Sequence, residues 1–576
     1  MMKFNLRKPM AALVTAAMVA SMGMPAFATD WPTYQGNDIH NGILTDGAPI
    51  SASPDVTKIV LPHNGSGWDG VDSAAVMETT DDGDTYAYVL YDGYTVKEDG
   101  SGGGRLAKID CTASTPYVVW DTQITQSSGF QLSSPYLDVE DRSIYVGASG
   151  YNQKATNDNL ALEAGVTKDW AVSASGTAMA ANKVIVSGDE TVTMTQANID
   201  LENGKKHRSA TGVKINGSGV GMTITAKLNG TVVGEKTFTS TDLIDGHYYL
   251  NQNFDDQSSA AEAAVLTGAN TLEFIYEVSG NTGNTVEIEY CSLYEQRTSI
   301  TKVVGIDSTP TTDWSLPVPN NAQVNTPIVK NGDYLYFGTW SGNKGTYYQY
   351  DMDAEELLEY NPGNGGFYWA GAVVDGDYVY FGGDKGYLYA RPVGDDFEDA
   401  AQGSVINLTT TGSVSDAGNV RSTISLVDGH LYFTSQGGYI WSFTPNSGTP
   451  TLDWKAQLAG TSTSTPTVVG NDIYVGYYTG FTVGGVQKID KTGTHTVTTV
   501  ATPGPVQSSI LVYTTGGVNY LYFNTNSATG AGYCYNGATG TKVWQTPGDT
   551  YALQGMASSN GILTFGNDYD NFYVVK

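Results

Sequence analysis

The sequence predicts an all-β chain: an eight-bladed β-propeller, with seven blades as the alternative, interrupted by an inserted β-sandwich of jelly-roll type. Three observations predict it. Residues 371–390 read GAVVDGDYVYFGGDKGYLYA, short β-rich runs separated by Gly- and Asp-rich turns, which is a three-stranded meander. The dipeptides Asn331-Gly332, Asp375-Gly376, Asp428-Gly429, Gly470-Asn471, Gly516-Gly517 and Asn560-Gly561 recur along the chain. Their spacing of about 40–55 residues is that of a four-stranded blade, and Asp375-Gly376 suits a type I′ hairpin turn. Between residues 150 and 301 that period fails and shorter alternating runs take over, the pattern of a separate sandwich.

In chain order, residues 1–28 read as a secretory leader. Lys3, Arg7 and Lys8 precede an apolar stretch over residues 11–24 and an A-x-A site at Ala26-Phe27-Ala28. The apolar stretch is short for a membrane span, and no Cys beside the site offers a lipid attachment point. The expectation is export, to the extracellular space or the cell surface, without membrane insertion. Residues 31–42 show no alternation, and residues 55–61 (DVTKIVL) form a lone strand.

The repeats follow. A small or polar residue before Pro or an aliphatic opens each unit, as in Ser133-Ser134-Pro135, Ser464-Thr465-Pro466 and Ser508-Ser509-Ile510. A tyrosine-bearing strand comes next, as in Ile144-Tyr145-Val146-Gly147 and Leu431-Tyr432-Phe433. A third strand ends in Asp (Asp110, Asp307, Asp351, Asp490), and a fourth carries Trp (Trp120, Trp314, Trp454, Trp544). The last unit supplies only three strands, so residues 55–61 are predicted to complete it and leave the ring no unpaired edge. The domain division is then 29–150 and 301–576 for the propeller and 151–300 for the insert. Only residues 354–360 (AEELLEY) and 258–266 read as short helices.

The three-strand unit with a Trp-bearing fourth strand resembles the pyrroloquinoline-quinone (PQQ) type propeller repeat of the quinoprotein alcohol dehydrogenase-like superfamily. Residues 382–390 (GGDKGYLYA), the end of the seventh unit at residues 539–544 (TGTKVW) and the N-terminal WPTYQGN carry the resemblance, with Asn536 where Asp is usual. The insert, closing on TVEIEYCSLY (residues 285–294), is similar to carbohydrate-binding modules. The resemblance implies a propeller scaffold. A PQQ enzyme would add a carboxylate base, a bound calcium and an adjacent Cys pair. Cys111, Cys291 and Cys534 are far apart, so neither PQQ nor calcium is expected.

Charge narrows the partners. The chain has 29 basic and 59 acidic residues, a net charge of −30. Loss of the leader removes basic residues only. Such a surface repels phosphate backbones, so no nucleic acid partner is expected. The acidic clusters at residues 81–84, 395–399 and 567–571 lack the spacing of a calcium loop and read as solvated turns.

What remains are two groups of candidates. The unit openings converge on the channel and place Ser73, Ser133, Asn325, Trp369, Ser422, Ser464, Ser508 and Gln554 in one ring. Asp72, Leu132, Val324, Tyr368, Arg421, Thr463, Gln507 and Leu553 form the adjacent one. Strand alternation would turn only one ring to the lumen at a given depth, and its hydroxyls would hold water and satisfy backbone groups. Asp72, Trp369, Arg421, Gln507 and Gln554 are the ligand candidates. In the insert, His247, Tyr248, Tyr249 and Asn251, with Trp170, are the glycan candidates; alternation exposes at most one of Tyr248 and Tyr249. Trp120, Trp314, Trp454 and Trp544 read as apolar anchors between blades. The functional expectation is a secreted, non-catalytic binding or scaffold protein whose partner is a polysaccharide or a cell-surface protein. The alternatives are a quinone-dependent oxidoreductase of alcohols or sugars and an envelope protein-assembly scaffold.

Overall fold

In the computed structural model each repeat folds as an antiparallel meander of four strands, and the ring closes with the strand that precedes it in sequence. The structure describes residues 30–576 except 62–69, 72, 93–103, 125–130, 158–161, 164–165, 168–169, 174–177, 181–182, 204, 206, 242–245, 255–258, 320–321 and 343. The leader and Asp72 therefore lie outside the described residues.

Blade 1 comprises Val76–Thr79, Thr85–Asp92, Gly104–Asp110 and Tyr117–Gln123, and six further meanders follow the same plan through Thr541–Gln545 in blade 7. Blade 8 has only Ala557–Ser559, Ile562–Gly566 and Asn571–Val575 from the C-terminal end. Val56–Val60 adds its outer strand, antiparallel, with Val56 opposite Val575 and Val60 opposite Asn571. Eight blades are thus present among the described residues, and the predicted closure holds.

The core lies between blades rather than within them. Val76, Leu90 and Leu106 of blade 1 pack against Leu137, Ile144 and Val303 of blade 2. The same happens between blades 4 and 5, where Val373, Tyr380 and Leu388 meet Leu431, Phe433 and Trp441. Tyr from the second strand and Trp from the fourth repeat one geometry: Tyr88–Trp120, Tyr145–Trp314, Tyr432–Trp454 and Tyr522–Trp544 have ring centroids 5.9, 6.0, 6.1 and 6.0 Å apart. Each Trp then reaches onward. Trp120 Nε1 donates to Ile306 O of blade 2, Trp314 meets Tyr350 of blade 3, Trp454 stacks on His495 of blade 6, and Trp544 Nε1 donates to Pro49 O. Three of the four predicted Asp residues cap the turn after the third strand: Asp110 accepts from Thr112 N and Ala113 N, Asp351 from Asp353 N and Ala354 N, and Asp490 from Thr492 N, whereas Asp307 lies beyond its strand and pairs with Arg142. Asn536 does the same for Ala538 N and Thr539 N. An amide oxygen suffices there, since the bond needs only an acceptor.

Two expectations are corrected. Residues 354–360 do not form a helix: Glu356–Tyr360 is the outer strand of blade 3, paired with Tyr347–Asp351. A weak helix preference yields because this segment completes a sheet with tertiary support. The turn of blade 4 is Gly376-Asp377, with Asp375 opposite Tyr378 and positive φ at Gly376 alone, so it is type II′ rather than I′. Asp428-Gly429, Gly516-Gly517 and Asn560-Gly561 are the pairs with two positive φ values. The helix expected over 258–266 is present as Ser259–Ala263.

Nothing breaks the hairpin of blade 2 at residues 150 and 301. Ser143–Asn157 and Thr285–Val304 run on, paired from Ile144–Val303 to Asn157–Cys291, and carry the insert directly out of the blade. Thr285–Val304 is its spine. Its far half also pairs with Lys183–Val186 and His207–Asn216. The facing five-stranded sheet contains Glu190–Leu201, Gly268–Ser279 and Gly221–Leu228. The two sheets enclose a core that includes Trp170, Val192, Met194, Val213, Phe274 and Ile288.

In a four-stranded meander the second hairpin and the crossover to the next blade share one face of the ring. The insert grows from a second hairpin, so it stands on the crossover face. The opposite face is closed by the N-terminal segment, a strap across the inner strands. Trp31 bridges Met77, Pro32 O accepts from Leu137 N, His40 Nε2 bonds Ala372 O, and Ile39 O accepts from Leu426 N. Asn41 exchanges two bonds with Val468, and Ile43–Leu44 adds a parallel strand beside Val512 and Tyr513.

Candidate functional site

With the strap across one end, the described crossover residues line a pit in the channel. Its wall includes Asn325, Trp369, Arg421, Thr423, Thr463, Gln507, Ser508, Leu553 and Gln554, and Tyr34 of the strap lies at its base. Members of both predicted rings are present, contrary to the expectation of one. These residues sit in the crossovers, ahead of inner strands that begin only at Val373, Ser425, Thr467, Leu511 and Ala557, so strand alternation does not govern them.

Most of the predicted channel hydroxyls are engaged by protein. Ser133 bonds both N and O of Gly147, as do Thr326 with Gly338 and Ser422 with Thr434. In these units, and with Ser508 on Asn524 N and O, the opening hydroxyl is thus a clamp that extends the pairing of the first two strands, and water is not required for it. Thr423 Oγ1 and Ser464 Oγ are exceptions, buried without a protein hydrogen bond.

One sector of the rim is aromatic. Tyr368 and Trp369 have ring centroids 4.6 Å apart, and Trp340 meets Tyr368 edge-on at 5.1 Å. The guanidinium of Arg421 lies over Tyr368 at 4.6 Å. Its Nε and Nη2 donate to Asp384, at 3.1 and 3.3 Å, and Trp340 Nε1 donates to the same carboxylate at 2.9 Å. Nη1 makes no hydrogen bond among the described residues. Trp369 has φ +58°, unlike its counterparts Asn325, Ser422, Ser464, Ser508 and Gln554. A bulky residue there carries about 1–3 kcal/mol of strain, which persists only where the surroundings hold it. Across the pit, Gln507 Oε1 accepts from Asn526 Nδ2, and the backbone oxygen of Gln554 accepts from Asn524. The sequence pointed to Trp369, Arg421, Gln507 and Gln554, and the structure brings them to one rim. It adds Trp340 and Asp384, which no periodicity marks.

The second candidate face is the outer surface of the insert sheet formed by Gly246–Asn253, His207–Asn216 and Thr285–Val304. Gly212 lies opposite Tyr249 on one side and Tyr290 on the other. The register then shifts, since Val213 pairs with Ile288, and Glu289 is the extra residue of a bulge. Bulges re-aim side chains. Here Glu289 Oε2 reaches His247 Nδ1 at 2.8 Å, and the Tyr290 ring lies over Gly212, where a Cβ would fall 2.3 Å from ring carbon Cε1. Tyr249 and Tyr290 have centroids 6.4 Å apart at 30°, and Tyr249 is 50% exposed.

Two of the glycan candidates are corrected. Trp170 is 1% exposed and packs on Phe274 in the sandwich core, because its large apolar area is better buried between the sheets. Tyr248 faces inward against Phe238, as alternation requires once Tyr249 faces out. The side chain of Asn251 lies outside the described residues. Tyr290 and Glu289 were missed; an unbulged register would send consecutive residues to opposite faces, and only Gly212 hinted at a ring needing room.

The acidic loop at residues 395–399 is organised by an internal cation. Arg391, fully buried, donates to Phe397 O and Asp399 O. No group of three potential metal ligands occurs among the described residues, and no helix among them is long and apolar enough to cross a membrane.

No protein-family model matches the chain. No curated protein matches it in sequence. Solved structures match about half of the chain at low identity. The computationally designed protein Ika8 is 13% identical over 48% of this chain and 80% of that chain, with a TM-score of 0.33. BamB from Moraxella catarrhalis is 16% identical over 49% and 79%, at 0.35. Sqt1 of Saccharomyces cerevisiae is 11% identical over 48% and 80%, at 0.36. The propeller assignment rests on the strand pairing itself.

Proposed function

We propose that this is an exported, non-catalytic glycan-binding protein in which a PQQ-like propeller is the scaffold and the inserted sandwich is the recognition module. The observation that carries the reading is the Tyr249–Gly212–Tyr290 face. Two tyrosine rings inclined at 30° on the outer sheet, one half-exposed and one half-buried, flanked by His247, Glu289 and Lys214, offer apolar planes for sugar rings and polar groups for their hydroxyls. A sheet face of this kind suits the middle of a chain. The hydrogen-bonded spine joins the module to the propeller without a linker.

The alternative, a calcium-bound quinone, asks for carboxylate ligands and a carboxylate base; among the described lining residues of the pit the charged one is Arg421, and Asp72 lies outside the described residues. The test of the glycan reading is retention of the mature chain on insoluble cell-wall and plant polysaccharides. Wild type should be retained on at least one of them, with Tyr249→Ala and Tyr290→Ala each reducing retention at least fivefold while the melting temperature stays within about 2 °C. Retention on none, or retention unchanged in both variants, removes the reading.

A further inference from the structure

The channel pit has a chemistry of its own that the sandwich face does not explain. Its base is closed by Tyr34, whose hydroxyl bonds Ser509 Oγ at 2.8 Å, so no chain can thread it. The pit has only about 20 Å³ of space for water-sized groups, room for one water or for a single hydroxyl or hydroxymethyl. Above that space stands Trp369, half-buried and held in a left-handed backbone conformation that its counterparts in the other blades do not share. Beside it Arg421 is fixed by Asp384 and Tyr368, with Nη1 unengaged among the described residues. Gln507, Gln554 and the unpartnered Thr423 Oγ1 complete the wall, Thr423 being 1% exposed.

We propose that this pit binds the terminal residue of a neutral oligosaccharide. The sugar ring lies on the indole of Trp369, Arg421 Nη1 and the amides of Gln507 and Gln554 bond its hydroxyls, and one hydroxyl or hydroxymethyl group enters the enclosed base. The neutrality follows from charge. Arg421 is compensated by Asp384, and a chain of net charge −30 repels a polyanion. The inference rests on the glycan reading for its ligand class but uses a different site, one that takes chain ends where the sandwich face takes chain middles.

The experiment titrates the mature protein calorimetrically with cello-, xylo-, manno- and maltotetraose, beside retention on the corresponding polymers. Variants are Trp369→Gly, Arg421→Gln and Tyr249→Ala. Glycine suits the backbone at position 369, so relief of strain offsets part of the packing lost in Trp369→Gly, and the variant should keep a cooperative melt. At least one tetrasaccharide should bind wild type and Tyr249→Ala alike, with affinity at least tenfold weaker in Trp369→Gly and in Arg421→Gln. Tetrasaccharide binding indifferent to Trp369→Gly, or abolished by Tyr249→Ala, overturns the pit assignment. Retention on polymer without any tetrasaccharide binding also overturns it and leaves the sandwich reading standing. Tetrasaccharide binding lost in Trp369→Gly, with no effect of Tyr249→Ala on any polymer, keeps the pit and removes the sandwich face. Binding to none of these sugars overturns both and leaves a protein partner.

Discussion

At the scale of single residues, acid should loosen this protein at two identifiable points. Glu295, at the root of the insert, is buried, which works to raise its pKa. Bonds from His207 Nε2, Glu202 N and Lys154 Nζ outweigh that and hold it at about 2. A depressed carboxyl stabilises the fold fully above its unfolded value near 4.5, and the contribution is lost as pH falls toward 2. The shift corresponds to about 3 kcal/mol at most. Glu295→Gln should therefore lower the melting temperature at pH 7, and the gap to wild type should close between pH 4.5 and 2; a gap independent of pH counts against the assignment. His40 in the strap behaves in parallel. Burial lowers its pKa against the two carbonyls it meets, Tyr34 O and Ala372 O. Its contribution is complete above the usual imidazole value of 6.5 and declines as pH falls through it. Amide exchange in residues 31–44 should accelerate from pH 7.5 to pH 5, after correction for intrinsic rates, more than in the inner strands they cross. A strap equally protected at both values would remove His40 from that role.

Among the elements, the hairpins separate what the sequence makes legible from what it does not. The turn positions were readable because Gly and Asn punctuate β-rich runs, but their type was not, since Asp-Gly can occupy either the two loop positions or the last strand residue and the first loop position. Blade 4 takes the second register, with φ +59° at Gly376. A Cβ added at Gly376 would meet nothing within 4 Å, so Gly376→Ala isolates backbone strain. It should cost about 1–2 kcal/mol in urea unfolding, with an unchanged m-value; a neutral result would mean the turn had switched type. Glu356–Tyr360 shows the reverse, a sequence with helix-forming residues drawn into a strand because blade 3 lacks any other fourth strand. The Tyr290 face was not readable from alternation, because it depends on the bulge at Glu289. The strain at Trp369 was hidden for a similar reason: it belongs to a crossover, and Trp340, which packs on the adjacent Tyr368, comes from a strand of blade 3.

For the whole molecule, the N-terminal region does two jobs that can be pulled apart. The closing strand was legible because a three-stranded last blade asks for a partner and residues 55–61 are a strand without one. The strap was not, because residues 31–44 have no periodicity of their own; their hydrogen-bond partners are inner strands hundreds of residues away, which exist only once the ring has formed. A mature chain starting at residue 49 keeps Val56–Val60 on blade 8 but loses the strap. It also loses the Trp31 and Leu44 side chains from the core they share with blades 1, 7 and 8. That protein should remain cooperatively folded and in the wild-type association state with a lowered melting temperature, and Trp369 in the crossover of blade 4 should keep its wild-type exchange behaviour. A chain starting at residue 62 additionally bares the Asn571–Val575 strand as an unpaired edge, the kind of edge that recruits other chains. It should sediment as larger species than the full mature chain, and the added peptide 55–61 should restore the wild-type association state. If the second truncation were as soluble and as stable as the first, Val56–Val60 would not be the clasp of the ring.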